Sequence, residues 1–429
     1  MVQRMNDADG LIIGYDLCPD FVRISCYCLG MKEPEDFCFD EKGEKQSIAT
    51  LLCKKKGTEE WLIGEEALQY ALAGRGIMVD NLLGMVQRRG ETVLEGIRYT
   101  ADMLLDIFLR KTIQVVLDAY PGKSLLKLFF TIPRMEPVWM ETVYKGASGM
   151  GLESGQVRIL CHADSFGCYT ANHSKGVLTG ITALFDLTKM GLDYYEVRCN
   201  KMTNPRQLLV QHESLEERFS LDILNQKTGV RMADSILTSC AERLFHNKVV
   251  TQVFLTGEGL AHCREWSEKF LSSICKKRKV YYHHNLFAQG ALAAAIESLD
   301  TGNVPPYLLL CEGRIPSDIS MEVVQQNTKK KLVLCQGGSD WYEAGATVEL
   351  IPDRCDSLQL QIVRLTDGWR RNCFISLEAL PKRPERTTRI EVKIYFQSAE
   401  EMLVQIKDLG FGELYPPSSV VIEEQVYIG

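Results

Sequence analysis

Twice in this chain an apolar run ends on an aspartate, turns within a few residues, and returns as a second strand. The first occurrence is residues 11–17, Leu-Ile-Ile-Gly-Tyr-Asp-Leu, then the turn Cys18-Pro19-Asp20. Residues 21–29 follow, with Val22, Ile24, Cys26 and Cys28 alternating against Arg23, Ser25 and Tyr27, the period of a strand with one buried face. The second occurrence spans residues 178–187 and 194–199, separated by residues 188–193. Recurrence of one strand–turn–strand unit in two halves predicts an internally duplicated α/β domain, because each copy has the same apolar surface to bury.

The intervening pattern supports α/β layers. A helical stretch is predicted at 65–72 and a long amphipathic helix at 91–119, stopped by Pro121-Gly122. Strand 125–131, helix 138–146, strand 157–161 and helix 165–172 follow, a rhythm that favours a largely parallel sheet. After the second unit come helix 230–245, strand 249–255, the turn Thr256-Gly257-Glu258-Gly259, helix 261–275, strand 280–282 and an alanine-rich helix over 285–299. Thr301-Gly302-Asn303-Val304-Pro305-Pro306 ends that rhythm. Beyond it, short β-prone runs at 307–311, 332–335, 347–351, 358–364, 374–377, 390–396, 402–406 and 420–428 predict an all-β sandwich. The expected division is an α/β domain over 1–300, with lobes of about 1–175 and 176–300, a linker at 301–306, and a β domain over 307–429.

Composition removes several classes. The net charge is −7 with no basic half, so nucleic-acid binding, which depends on phosphate neutralisation, is not expected. The runs Lys54-Lys55-Lys56, 276–279 and 329–331 read as exposed turns and helix ends. The apolar runs fall short of the roughly 20 residues a membrane helix needs, and a polar first segment followed early by Asp16 does not read as a secretion leader. Fifteen cysteines, an odd number without a compact framework, read as reduced thiols of a cytoplasmic protein. Cys26 and Cys28 share a strand face and form no CxxC motif, and His283-His284 has no carboxylate at ligand spacing. GxSxG, HExxH and Walker motifs are absent.

Taken in order, these blocks resemble the actin-fold ATPase superfamily, and within it a divergent, lidless relative of the 70-kDa heat-shock (DnaK-type) chaperones. Residues 11–17 are similar to the first phosphate loop of that family, and 61–67 to its following hairpin and helix. Phe129-Phe130-Thr131-Ile132-Pro133 resembles the strand that the family ends in Thr-Val-Pro. Ala183-Leu184-Phe185-Asp186-Leu187 looks like the second phosphate loop, 253–259 like the adenosine loop, and Gln289-Gly290-Ala291-Leu292-Ala293 like the last helix of the ATPase domain. Residues 389–396 and 402–408 resemble the peptide-binding β domain. The helical lid that the family places after it has no counterpart before Gly429.

The resemblance implies ATP or ADP with Mg²⁺ as cofactor, with Asp16 and Asp186 organising the ion through water. It further implies Thr188, Lys189, Gly257, Glu258 and Gly259 as nucleotide contacts, and Asp16, Asp186 and Asp164 as catalytic candidates. The bland alternatives are that each Asp caps a turn or helix and that Lys189 is an exposed turn residue. Several positions depart from the family. Cys18-Pro19-Asp20 replaces a Gly-Thr-Thr run, and proline lacks an N–H donor. By register the catalytic lysine falls near Asp80, and the water-positioning glutamate near His162, beside Asp164.

Two functions are therefore expected to compete. One is a chaperone-like binding scaffold with a degenerate nucleotide domain, whose lidless β module takes protein or extended-peptide partners by strand addition. The other is a slow Mg-dependent ATPase that couples nucleotide state to peptide binding. A sugar or acetate kinase of the same superfamily is a more distant alternative, since such kinases do not normally end in a β sandwich.

Overall fold

A computed structural model describes residues 10–40, 42–173, 180–217, 219–299, 307–353 and 355–429. The chain divides into two compact units, Met1–Tyr307 and Leu308–Gly429. The expected linker at 301–306 lies outside the described residues.

The first unit is organised by two sheets with one plan. In the first, Gly10–Leu17 pairs antiparallel with Phe21–Cys28 on one side and parallel with Ser124–Ile132 on the other, and Val157–Cys161 pairs parallel with the far edge of Ser124–Ile132. In the second, Ile181–Thr188 pairs antiparallel with Gly191–Asn200 and parallel with Val250–Thr256, and Lys279–Tyr282 extends the parallel side. All eight residues of Gly10–Leu17 are buried, which is why that strand reads as a continuous apolar run rather than an alternating one.

Helix Leu286–Glu297 packs on the first hairpin strand and on helix His162–His173. Its small residues permit this: a Cβ at Gly290 would lie 2.0 Å from the carbonyl oxygen of Ser165. The second sheet covers a cluster containing Phe185, Leu237, Cys240, Val253, Leu260 and Phe270. The apolar face of helix Lys227–Phe245, read from the sequence at 233, 237, 240, 241 and 244, is buried there.

Some expectations need correction. The helix expected at 91–119 begins at Ala101; Glu91–Leu94 and Ile97–Thr100 form a hairpin instead. Gly96 supplies the positive φ of its turn, and the Thr100 hydroxyl caps the helix from outside by accepting from the Met103 amide. The helix expected at 261–275 is divided into Cys263–Trp266 and Glu268–Ile274, with Ser267 buried between them. Lys54 is not an exposed turn lysine. It is 1% exposed, and its Nζ donates to the Thr58 carbonyl at 2.8 Å and to Glu95 at 3.0 Å.

The second unit contains two antiparallel four-stranded sheets. One runs Thr328–Cys335, Ser317–Gln325, Ser357–Arg364, Arg370–Ser376; the other runs Gly345–Leu350, Arg389–Phe396, Glu401–Gly410, Val421–Tyr427. Alternating burial, as at Ile390, Val392 and Ile394 or Met402, Val404 and Ile406, gives each sheet one inner face. Strand Ser317–Gln325, rich in polar residues, is absent from the sequence expectation. Buried Asp408 is satisfied by both Arg383 guanidinium nitrogens at 2.8 and 2.7 Å and by the Gly410 and Ser418 amides.

Candidate functional site

The repeated plan places the two hairpin acids at equivalent points. Asp16 lies opposite Thr131 on its parallel neighbour, and Asp186 opposite Thr256 on its own. Both are buried, at 1% and 6% exposure. Asp186 lines a cleft of about 340 Å³ together with Cys18, Pro19, Asp20 and His162, and Thr188 and Asp193 contribute from the second hairpin. Asp16 sits directly behind the Cys18 and His162 part of this wall, hydrogen-bonded to both.

The chemistry of the first hairpin follows from that contact. His162 Nε2 lies 2.9 Å from Asp16 Oδ1, Cys18 Sγ donates to the same oxygen at 3.3 Å, and the sulfur and Nε2 are 3.8 Å apart. His162 opens helix His162–His173 immediately after strand Val157–Cys161, so its ring is delivered to the end of the parallel sheet. Phe287 fixes the ring by stacking at a centroid distance of 3.7 Å and 10° between planes. Burial, reinforced by the negative field of Asp16, raises the Cys18 thiol well above its ordinary value. A thiol so held is a weak nucleophile, so a Cys–His catalytic pair is not indicated.

Asp186 is in the opposite condition. Its carboxylate has no hydrogen-bond partner among the described residues. Burial raises its pKa from 3.8 to about 7, a rise opposed by His162 and Arg23 and assisted by Asp193 and Asp16. Arg23, 5% exposed, lays its guanidinium over the Phe21 ring at 4.1 Å. Asp193 is bonded to His212 Nε2 at 2.9 Å; burial works against its charged form, but the His212 hydrogen bond and charge win and its pKa is lowered.

The remaining candidates are placed as follows. Thr188 lines the cleft, with its hydroxyl accepting from the Met190 amide at 3.2 Å. Lys189 is exposed in the hairpin turn, and it and Asp80, also exposed, lie outside the cleft lining. Asp164, 1% exposed, accepts from the Cys161 amide and thiol at the start of its helix, the return bond of a helix cap. Gly257 has φ +87°, and a Cβ there would lie 2.3 Å from the Leu187 carbonyl oxygen and 2.5 Å from Asp186 Oδ1. Gly259 meets the Leu187 side chain in the same way. The two glycines thus seat this loop against the second hairpin, and Glu258 between them is exposed. None of the three lines the cleft.

The Asp16–Cys18–His162 cluster is the feature that sequence reasoning missed as a unit. Register had marked His162 as the position of the family's glutamate, but nothing local joined it to Asp16, 146 positions away. The cleft also gains Arg134, Glu136 and Trp139, which no motif marks.

A Mg²⁺–nucleotide complex fits these residues poorly. Phosphate cradles need N–H groups not already used. Here the Cys18 amide donates to the Phe21 carbonyl at 3.0 Å, Pro19 has no amide hydrogen, and the Met190 amide is taken by Thr188. Acids in the lining, Asp20, Glu136, Asp186 and Asp193, outnumber its single arginine, Arg134.

A model described as the family of unknown function (DUF5716) C-terminal matches residues 33–312, and one described as a domain of unknown function (DUF8552) matches residues 314–428. The first hairpin lies ahead of both matches. No curated protein matches the sequence.

Proposed function

The chain belongs to the family of unknown function described as DUF5716, C-terminal, and we propose that it is a chaperone-like binding scaffold. In this reading the first unit is a duplicated actin-like domain with a degenerate nucleotide cleft. The second unit is a β sandwich that binds a protein or extended peptide. One observation carries the reading: where the resemblance places a water-positioning glutamate, His162 stands hydrogen-bonded at 2.9 Å to Asp16, the acid that would organise the ion. A carboxylate held in that bond and sharing its oxygen with a thiol is occupied by protein groups rather than by hydrated Mg²⁺.

Partner binding is assigned to the edge strand Arg370–Ser376, which pairs on one side only and exposes Phe374 at 60%. The opposite edge of that sheet begins Thr-Lys-Lys-Lys, the lysine-rich composition with which natural edges resist pairing. Strand addition at the first edge, with Arg370 and Phe374 giving specificity, suits an acidic and apolar extended peptide. A cytoplasmic setting belongs to the same proposal. None of the fifteen cysteines forms a disulfide, and among the described residues no helix is long and apolar enough to cross a membrane.

A slow Mg-dependent ATPase is the second reading, favoured by the matched placement of Asp16 and Asp186 beside Thr131 and Thr256. Calorimetric titration with Mg-ATP and Mg-ADP, followed by single-turnover phosphate release, separates the two. The scaffold reading expects neither heat nor turnover at millimolar nucleotide. Tight binding with turnover, both lost in Asp16→Ala, would replace it with the ATPase reading.

A further inference from the structure

We infer that Asp16, Cys18 and His162 form a binding site for a divalent transition cation of the Zn²⁺ class. This inference goes beyond the scaffold reading and stands without it, because it depends on the donor atoms of the first unit alone.

The donor geometry is the first support. A tetrahedral zinc with sulfur at about 2.3 Å and nitrogen or oxygen at about 2.0 Å holds sulfur roughly 3.5 Å from its light-atom neighbours, and those neighbours roughly 3.3 Å apart. In the fold Sγ–Oδ1 is 3.3 Å, Sγ–Nε2 is 3.8 Å and Nε2–Oδ1 is 2.9 Å. Each separation is within about 0.5 Å of the required edge, so small side-chain movements would open the trio around an ion. The donors come from separate elements, the end of the first hairpin strand and the start of helix His162–His173, and all three residues are buried. Stacking on Phe287 already sets the plane of the imidazole.

The second support is independent of the trio. Asp186 is 6% exposed, lines the same cleft as Cys18 and His162, and is without a hydrogen bond among the described residues. Its carboxylate opens on the cleft and is not among the sealed, unsatisfied groups of the interior, so it can take a partner that enters there. A cation at the trio, whose three donor atoms lie within 4.8 Å of one another, answers it through a water in the fourth position. Excess acid elsewhere in the lining, Asp20, Glu136 and Asp193 against Arg134, adds to the attraction.

Ligand type selects the ion. Thiolate with imidazole favours Zn²⁺, Co²⁺ or Fe²⁺ over Mg²⁺ and Ca²⁺, which take oxygen. Binding forms a metal–sulfur bond and breaks the Cys18 S–H bond, with that proton released to solvent. The ligands then carry two negative charges, from Asp16 and Cys18, against the two positive charges of the ion. No oxidant or reductant is involved.

The test uses the full chain, stripped with a chelator and kept reduced, titrated with Co²⁺ and then Zn²⁺. The expected result is one Co²⁺ per chain with a thiolate-to-metal charge-transfer band and the intense visible absorption of four-coordinate cobalt, displaced by one equivalent of Zn²⁺. Cys18→Ser should remove the charge-transfer band, and Cys18→Ser and His162→Ala should each weaken affinity by at least about 100-fold. Cys355→Ser, an exposed cysteine of the second unit, should leave both unchanged. No binding at micromolar metal, or a charge-transfer band that survives Cys18→Ser, would overturn the site. If either variant misfolds, X-ray absorption of the zinc-loaded wild-type chain decides: one sulfur with light-atom neighbours supports the assignment, and several sulfurs or none overturns it.

Discussion

Asp16 and Asp186 stand at the same point of two similarly built sheets, yet one is fully engaged and the other is left alone. Asp16 receives His162 and Cys18 on one oxygen, while Asp186 is buried among Leu187, Gly257 and the cleft with no donor directed at it. Burial of a carboxyl is tolerable when hydrogen bonds replace water and costly when they do not. The shared strand plan therefore repeats the position of the acid but not its surroundings. The first hairpin ties its acid to helix His162–His173, and the second holds an acid that stability alone would not keep.

The sharpest way to break this comparison is at Asp186, where the largest effect is expected. Its pKa is raised to about 7 from an ordinary 3.8, so between those values the folded chain holds a proton that the unfolded chain has lost. Stability then falls as pH rises through that window, and the penalty is complete above about pH 7. Asp186→Asn keeps the shape and cannot ionise. In metal-free buffer it should stabilise the chain at pH 8 by up to about 4 kcal/mol and change little at pH 4, read from denaturant midpoints. An equal gain at both pH values would show that the effect is not one of buried charge.

The matched substitution in the first hairpin should have the opposite sign. Asp16→Ala removes the acceptor from both His162 Nε2 and the Cys18 thiol, leaving buried groups without partners at a cost of roughly 2–3 kcal/mol. Asp16→Asn should recover part of that loss, because its amide oxygen still accepts. The same denaturation experiment at pH 8 checks both, and a neutral Asp16→Ala would mean that the hydrogen bonds of the cluster hold nothing together.

How far this contrast was legible beforehand differs by feature. The two hairpins and their acids were legible because strand period and turn residues are local signals. The helix expected at 91–119 ran too far because a helical hydrophobic pattern was extended across Gly96, although Thr92, Val93, Ile97 and Thr100 on either side are β-branched. Strand Arg206–Ser214 was not expected at all, since Arg206, Gln211 and Glu213 leave it little apolar signal. In the site, Asp16 and Asp186 could be named from the chain, but the partner that separates their fates could not be read locally. His162 lies 146 positions from Asp16, and only the placement of a helix start over the sheet end joins them. Gly257 and Gly259 were legible as positions of close approach, and in the fold they admit Leu187 and Asp186.

The smallest effect is expected at Lys189, and it bears on what the second hairpin still does. The residue is exposed in the turn between Ile181–Thr188 and Gly191–Asn200, outside the cleft lining. Lys189→Ala should change stability by less than about 0.5 kcal/mol, as surface substitutions generally do. It should also leave cobalt affinity untouched, because the donors belong to the first hairpin and to helix His162–His173. Calorimetry with Mg-ATP provides the discriminating measurement. A nucleotide affinity that is measurable in the wild-type chain and more than tenfold weaker in Lys189→Ala would mean that this turn closes on phosphate, and the unpartnered Asp186 would then belong to a nucleotide site rather than to a cation held by Asp16, Cys18 and His162.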